Sequence, residues 1–159
     1  MADVKDVLAY MLNRYRGETS NARVTKMVYL TDWRHSLLYG RQVTDIEWYF
    51  DNYGPFVWTV IEAARENPDL FEIEATQTVF GNSKNVLRLR NKQYKPQLGD
   101  SERAAVDFVV DATKDLTFDA FIKLVYSTYP IMKSDRYESL DLPALAREYK
   151  ATPVFQNVQ

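Results

Sequence analysis

A chain of 159 residues that is 46% hydrophobic, with eleven tyrosines, eight phenylalanines and three tryptophans, carries enough apolar material for one ordinary core. It has no cysteine, which excludes disulfides and thiolate-held metals and fits a reducing, cytoplasmic setting. A net charge of −2 with both signs interspersed lacks the basic footprint of a general nucleic-acid binder.

The elements follow in chain order. Val4, Val7, Leu8, Met11, Leu12 and Tyr15 recur at helical spacing, so a first helix is expected from about Val4 to Arg14. Asp3, Lys5 and Asp6 break any leader-like apolar run at this end, and no later stretch is long enough to span a bilayer. Asn21 is placed to cap a second helix, Ala22 to Tyr39, whose two adjacent apolar stripes predict a central helix with several neighbours. Gly40 supplies the left-handed residue that ends it. After a loop over Val43–Asp51, Gly54-Pro55 is expected to open a third helix, because proline suits a first helical turn. Phe56, Val57, Val60, Ile61 and Ala64 follow at helical spacing.

Phe71–Phe80 and Lys84–Lys92 alternate with period two and predict a hairpin joined through Gly81-Asn82-Ser83. That loop pairs Glu74 with Arg90 and Glu72 with Lys92, leaving Ile73, Ala75, Val79, Leu87 and Leu89 on the other face. A helix from Asp100 to about Lys114 should turn Ala105, Phe108, Val109 and Ala112 inward. Thr117 caps the next, with Leu116 and Phe121 as a staple and Phe118, Phe121, Ile122 and Val125 facing the core. Tyr129-Pro130 stops it, and a last helix runs from near Asp141 to about Tyr149. The expected fold is α+β but mainly α: one compact helical domain over residues 1–150 with an inserted two-stranded antiparallel hairpin, then a tail over 151–159.

Chemistry is sparse. His35, the single histidine, follows Asp32 by one helical turn; it reads either as an Asp-oriented general base or as a structural histidine bonded to Asp32. Asp45, Glu47 and Asp51 could hold a hard cation but lack an EF-hand pattern, so solvated loop charge is the plainer reading. Phosphate-loop and dinucleotide motifs are absent, and no cofactor is expected. Lys84, Arg88, Arg90, Lys92 and Lys95 concentrate positive charge, which Glu72 and Glu74 partly neutralise. Trp48, Tyr49, Phe50, Tyr53, Phe56 and Trp58 crowd the Tyr-Gly-Pro turn. They either anchor that loop over the helices or supply anchors for a protein interface.

Lys26, Tyr29, Leu30, Asp32, His35, Tyr39-Gly40-Arg41, Val43-Thr44 and Tyr53-Gly54-Pro55, with the later stretch LTFDAFIKLVYSTYP ending at Tyr129-Pro130, form a pattern similar to the Panacea domain, or SocA-like antitoxin family. The resemblance spans about residues 3–150. Two departures stand out: Met27 replaces a motif leucine, and Pro130-Ile131 replaces a frequent Pro-Trp pair. The resemblance implies a bacterial or phage antitoxin, encoded beside a toxin gene, that blocks its toxin by direct protein contact and is not an enzyme. Trp33, Trp48, Tyr53, Phe56 and Trp58 are the expected contact residues. The alternatives are an adaptor that delivers the toxin to a protease, an autoregulator that binds DNA through the Lys84–Lys95 strand, and, last, a hydrolase using His35 and Asp32.

Overall fold

The computed structural model describes residues 1–152; the stretch expected to form the tail lies, from 153 onward, outside the described residues. Helix α1, Val4–Arg14, starts where the Asp3 carboxylate accepts from Lys5 N at 3.1 Å and buries Val7, Leu8 and Met11 completely. Helix α2, Asn21–Tyr39, is the axis of the molecule. Every residue from Arg23 to Trp33 is buried, so it is sheathed on all sides, beyond the two stripes expected, with four later helices and the second strand of the hairpin packed on it. Its cap is Ser20 rather than the expected Asn21: Ser20 Oγ accepts from Arg23 N, and Asn21 Oδ1 instead accepts from the Thr25 hydroxyl. Gly40 ends the helix at φ 73°, as its sequence position predicts.

Gly54-Pro55 does not start a helix. It forms strand β2, which folds back on β1, Trp48–Asp51, pairing Asp51 with Gly54 and Phe50 with Pro55. Helix α3, Thr59–Glu66, begins only four residues after Pro55. A proline without an amide hydrogen suits the end of a short edge strand as well as it suits a first helical turn. Strand β5, Ser139–Leu140, pairs with Trp48 and Tyr49 on the other side, giving a sheet of order β2-β1-β5. Strands this short have no period to read.

The hairpin is present as β3, Phe71–Gln77, and β4, Ser83–Leu89, but in a different register. Glu72 faces Arg88 and Glu74 faces Val86, not Lys92 and Arg90. The tip is a five-residue loop, 78–82: Thr78 N donates to Asn82 O, the Thr78 hydroxyl oxygen accepts from Phe80 N and Asn82 N, and Gly81 sits at φ 83°. These bonds move every pairing by four positions, an even shift that leaves side-chain parity intact. Phe71, Ile73, Leu87 and Leu89 therefore still share a face, and Glu74 reaches Arg88 diagonally as an ion pair. Val79 leaves that face for the exposed tip. Leu87 N donates to Thr19 O, and Ser20 bridges Val86, so the base of the hairpin is fixed to the start of α2.

Helix α4, Asp100–Thr113, turns Ala105, Val106, Val109, Val110 and Thr113 inward. Phe108 and Ala112, expected there, are exposed; Phe108 instead lies under the Arg34 guanidinium, 3.7 Å from the ring centroid. Helix α5, Phe118–Tyr126, has its predicted cap, Thr117 Oγ1 accepting from Ala120 N. Thr128 then precedes a short helix α6, Tyr129–Lys133, with Pro130 in its first turn, where a stop was expected. Asp141 caps α7, Leu142–Lys150. The buried Arg23 guanidinium donates to Thr113 O and Leu116 O at the end of α4 and lies 4.5 Å from the Phe121 ring, joining α2, α4 and α5. The architecture is mainly α with two small antiparallel sheets. Among the described residues, no helix is long and apolar enough to cross a membrane.

Candidate protein-binding cleft

The sequence motif divides into an inner part and an outer part. Asp32 centres the inner part: Oδ1 accepts from Val43 N and Thr44 N, both at 2.9 Å, while Oδ2 accepts from Thr44 Oγ1 at 2.6 Å and Trp48 Nε1 at 2.9 Å. Complete burial pushes its carboxyl up to about 6, against the pull of these donors. The carboxylate thus pins the loop after α2 and the start of β1 onto the central helix. Tyr29 packs edge-on to Trp48 at 5.5 Å and shares a 2.8 Å hydrogen bond with Thr128.

His35 makes no contact of the expected kind with Asp32. Its Nδ1 lies 2.7 Å from Arg41 O, which can only accept, so Nδ1 carries the proton; Nε2 meets the Ser101 hydroxyl at 2.9 Å. Both ring nitrogens are engaged and the side chain is wholly buried under Tyr39, which argues against a general base reaching a substrate. Asp45, Glu47 and Asp51 do not assemble: among the described residues, no group of three or more His, Asp or Glu could hold a metal ion. The basic strand is also partly spent, with Lys84 on Glu18 and Arg88 on Glu74.

The five aromatic contact candidates separate by burial. Trp48 is 1% exposed and Trp33 is buried beside Tyr149, so neither offers a surface to a partner. Tyr53 is 81% exposed, Trp58 is 58% exposed and Phe56 is half-buried against Trp58, ring centroids 5.1 Å apart. Phe56 and Trp58 line a cleft of about 790 Å³ whose other walls are the Tyr15–Arg23 stretch, the hairpin near Lys84, and Leu116 and Phe118. A second cleft of about 590 Å³ adjoins it, sharing Ala22 and Phe118, with Lys26, Tyr53, Ile122 and Tyr126 around it.

One contributor to the clefts was missed in the sequence, and so was an exposed apolar pair outside their lining. Phe118, read as core, is 47% exposed: residues 118, 121, 122 and 125 share one helical stripe, and periodicity does not tell which end of a stripe reaches the surface. Val79 and Phe80 at the hairpin tip are exposed because the loop is longer than expected; the apolar pair beside Gly81 was the available signal.

Gly54 brings β2 close to the second cleft. A Cβ at this residue would lie 3.4 Å from the Tyr126 ring and 3.6 Å from Lys26 Cε, and φ is 104°, a conformation glycine adopts readily. The Lys26 stem therefore meets β2 at this point. Its ammonium is 5.4 Å from the Phe56 ring centroid, and burial lowers its pKa to about 8 despite the opposing pull of Asp51.

The model of the family described as Antitoxin SocA-like, Panacea domain, matches residues 24–130. No curated protein and no solved structure matches the chain. The matched span runs from within α2 to the first turn of α6. It contains the Asp32 hub, Gly54-Pro55 and the exposed aromatics of both clefts. The chain belongs to the SocA-like antitoxin family through its Panacea domain, a family that points to a non-enzymatic toxin–antitoxin role and to a toxin partner.

Proposed function

We propose that this chain is the antitoxin of a bacterial or phage toxin–antitoxin pair and neutralises a toxin encoded by an adjacent gene by direct contact, working in the cytoplasm without a cofactor. The observation that carries the reading is the exposed set Tyr53, Trp58 and Phe118, with half-buried Phe56, around two adjoining clefts and within the family-matched span. Large aromatic side chains half-sunk in a cleft are the usual hot spots of protein interfaces, where a few residues dominate a standard burial of about 1,600 Å². Trp33 and Trp48 act behind this surface, as packing.

Co-expression with the adjacent gene's product tests the reading. Growth rescue with a co-purifying complex is the expected outcome, at unchanged toxin abundance. Rescue without a complex would sink direct neutralisation. Rescue accompanied by a shortened toxin half-life would favour a protease adaptor instead.

A further inference from the structure

Lys26 is a charged side chain in an unusual position. It is only 3% exposed, yet among the described residues none forms a hydrogen bond or ion pair with its Nζ. Its surroundings are mainly apolar, the Gly54 backbone near its Cε and the face of Phe56 near its ammonium, with the Asp51 carboxylate close enough to pull on the charge but not bonded to it. A buried ammonium without hydrogen-bonded anions costs free energy, and its acid-shifted pKa is a sign of that cost. The group is not sealed in, because Lys26 lines the second cleft, where Lys123 adds a second cation and Asp119 a carboxylate, with Asp51 acting on Lys26 from outside the lining.

Resting on the toxin-binding reading above, we propose that Lys26 is an anion-recognition residue that receives an acidic side chain, aspartate or glutamate, from an extended segment of the toxin lying along the two clefts. Charge complementarity names the chemistry: an ammonium with no hydrogen-bonded partner, and only the more distant pull of Asp51, is satisfied by a carboxylate, and exclusion of water by the aromatic walls strengthens that bond. The shape of the site favours a polypeptide over a small metabolite. The about 590 Å³ cleft holding Lys26 opens, across Ala22 and Phe118, into the larger one of about 790 Å³. One acidic side chain would enter beside Tyr53 and Tyr126, and apolar neighbours on the same segment would continue past Phe118 towards Trp58.

The test uses the full chain and a minimal probe, 3-phenylpropionate, which joins a carboxylate to one aromatic ring. Nuclear magnetic resonance titration should show millimolar binding centred on residues 26, 53 and 126, at least tenfold tighter than for the neutral amide of the same acid and for inorganic phosphate. Lys26→Met, which keeps the stem and removes the charge, should abolish the preference for the acid while leaving residual amide binding. Equal affinity for acid and amide, no binding of either, or equal binding of phosphate would overturn the proposal, and these comparisons need no variant. In pull-downs with the toxin, Lys26→Met should weaken the complex at least tenfold. An undiminished complex would refute Lys26 recognition while leaving direct neutralisation standing. Absence of a wild-type complex would refute the function itself.

Discussion

The indole nitrogen of Trp48 donates to Oδ2 of Asp32 across 16 positions of sequence, and this 2.9 Å bond places one of the protein's three tryptophans in its interior. Trp48 therefore serves the fold. Trp48→Phe removes one donor from a buried carboxylate, which should cost about 1–3 kcal/mol, and the part of the indole's space left empty adds to that loss. For a domain of this size that is a fall in melting temperature of roughly 2–4 °C per kcal/mol. Calorimetry on the variant checks it, and toxin affinity measured below the transition should be unchanged.

Asp32 also sets a pH dependence. Its folded pKa, near 6, exceeds the ordinary 3.8, so between these values the folded state holds a proton that the unfolded chain has released. This group therefore adds stability as pH falls from about 6 towards about 4, and its contribution is flat above that window. Two pKa units correspond to about 3 kcal/mol. Urea denaturation of wild type and Asp32→Asn across this range should show the wild type gaining on the variant as acidity increases. A gap that narrows with acidity would contradict the assignment.

At Gly54 the expected cost is conformational. Gly54→Ala places a Cβ at φ 104°, in van der Waals contact with Tyr126 and the Lys26 stem. Destabilisation of about 1–3 kcal/mol should follow, read as a lowered urea midpoint at unchanged slope.

Exposed aromatics should behave in the opposite way. Trp58→Ala and Tyr53→Ala remove side chains that project largely into solvent, so stability should move by less than about 1 kcal/mol. Loss of an interface hot spot costs about 2 kcal/mol or more, roughly a thirtyfold rise in toxin dissociation constant. Isothermal titration with the toxin separates the two quantities. Unchanged affinity in both variants would move the interface away from the cleft.

Long, strongly patterned elements were legible in the sequence: α1, α2 with its Gly40 stop, the Thr117 cap of α5 and the start of α7 near Asp141 all match. Hairpin parity was legible but its register was not, since an even shift keeps the apolar face together and still leaves Glu74 an arginine, and the backbone and side-chain bonds of Thr78 decide the loop length. Gly54-Pro55 was misread because the same dipeptide serves a helix start and a strand end, and the strand that selects the second, β1, is only four residues long. The candidate site was half legible. Aromatic density marked a region that does carry exposed rings, Tyr53 and Trp58, but that Trp48 points inward depends on a partner, Asp32, that no local pattern connects to it.

The bonds of Arg23 have a further consequence for how this domain can change. Cleft walls drawn from stretches far apart in sequence share a floor that one guanidinium locks to the end of α4 and the ring of Phe121. The floor is preorganised, so a partner need not supply the entropy of assembling it. The rim differs: Tyr53 and Trp58 stand in solvent, and the hairpin tip closes its hydrogen bonds within residues 78–82. Substitutions can accumulate on that rim and redirect partner choice at little cost to the fold, whereas a change at Arg23 would disturb both together.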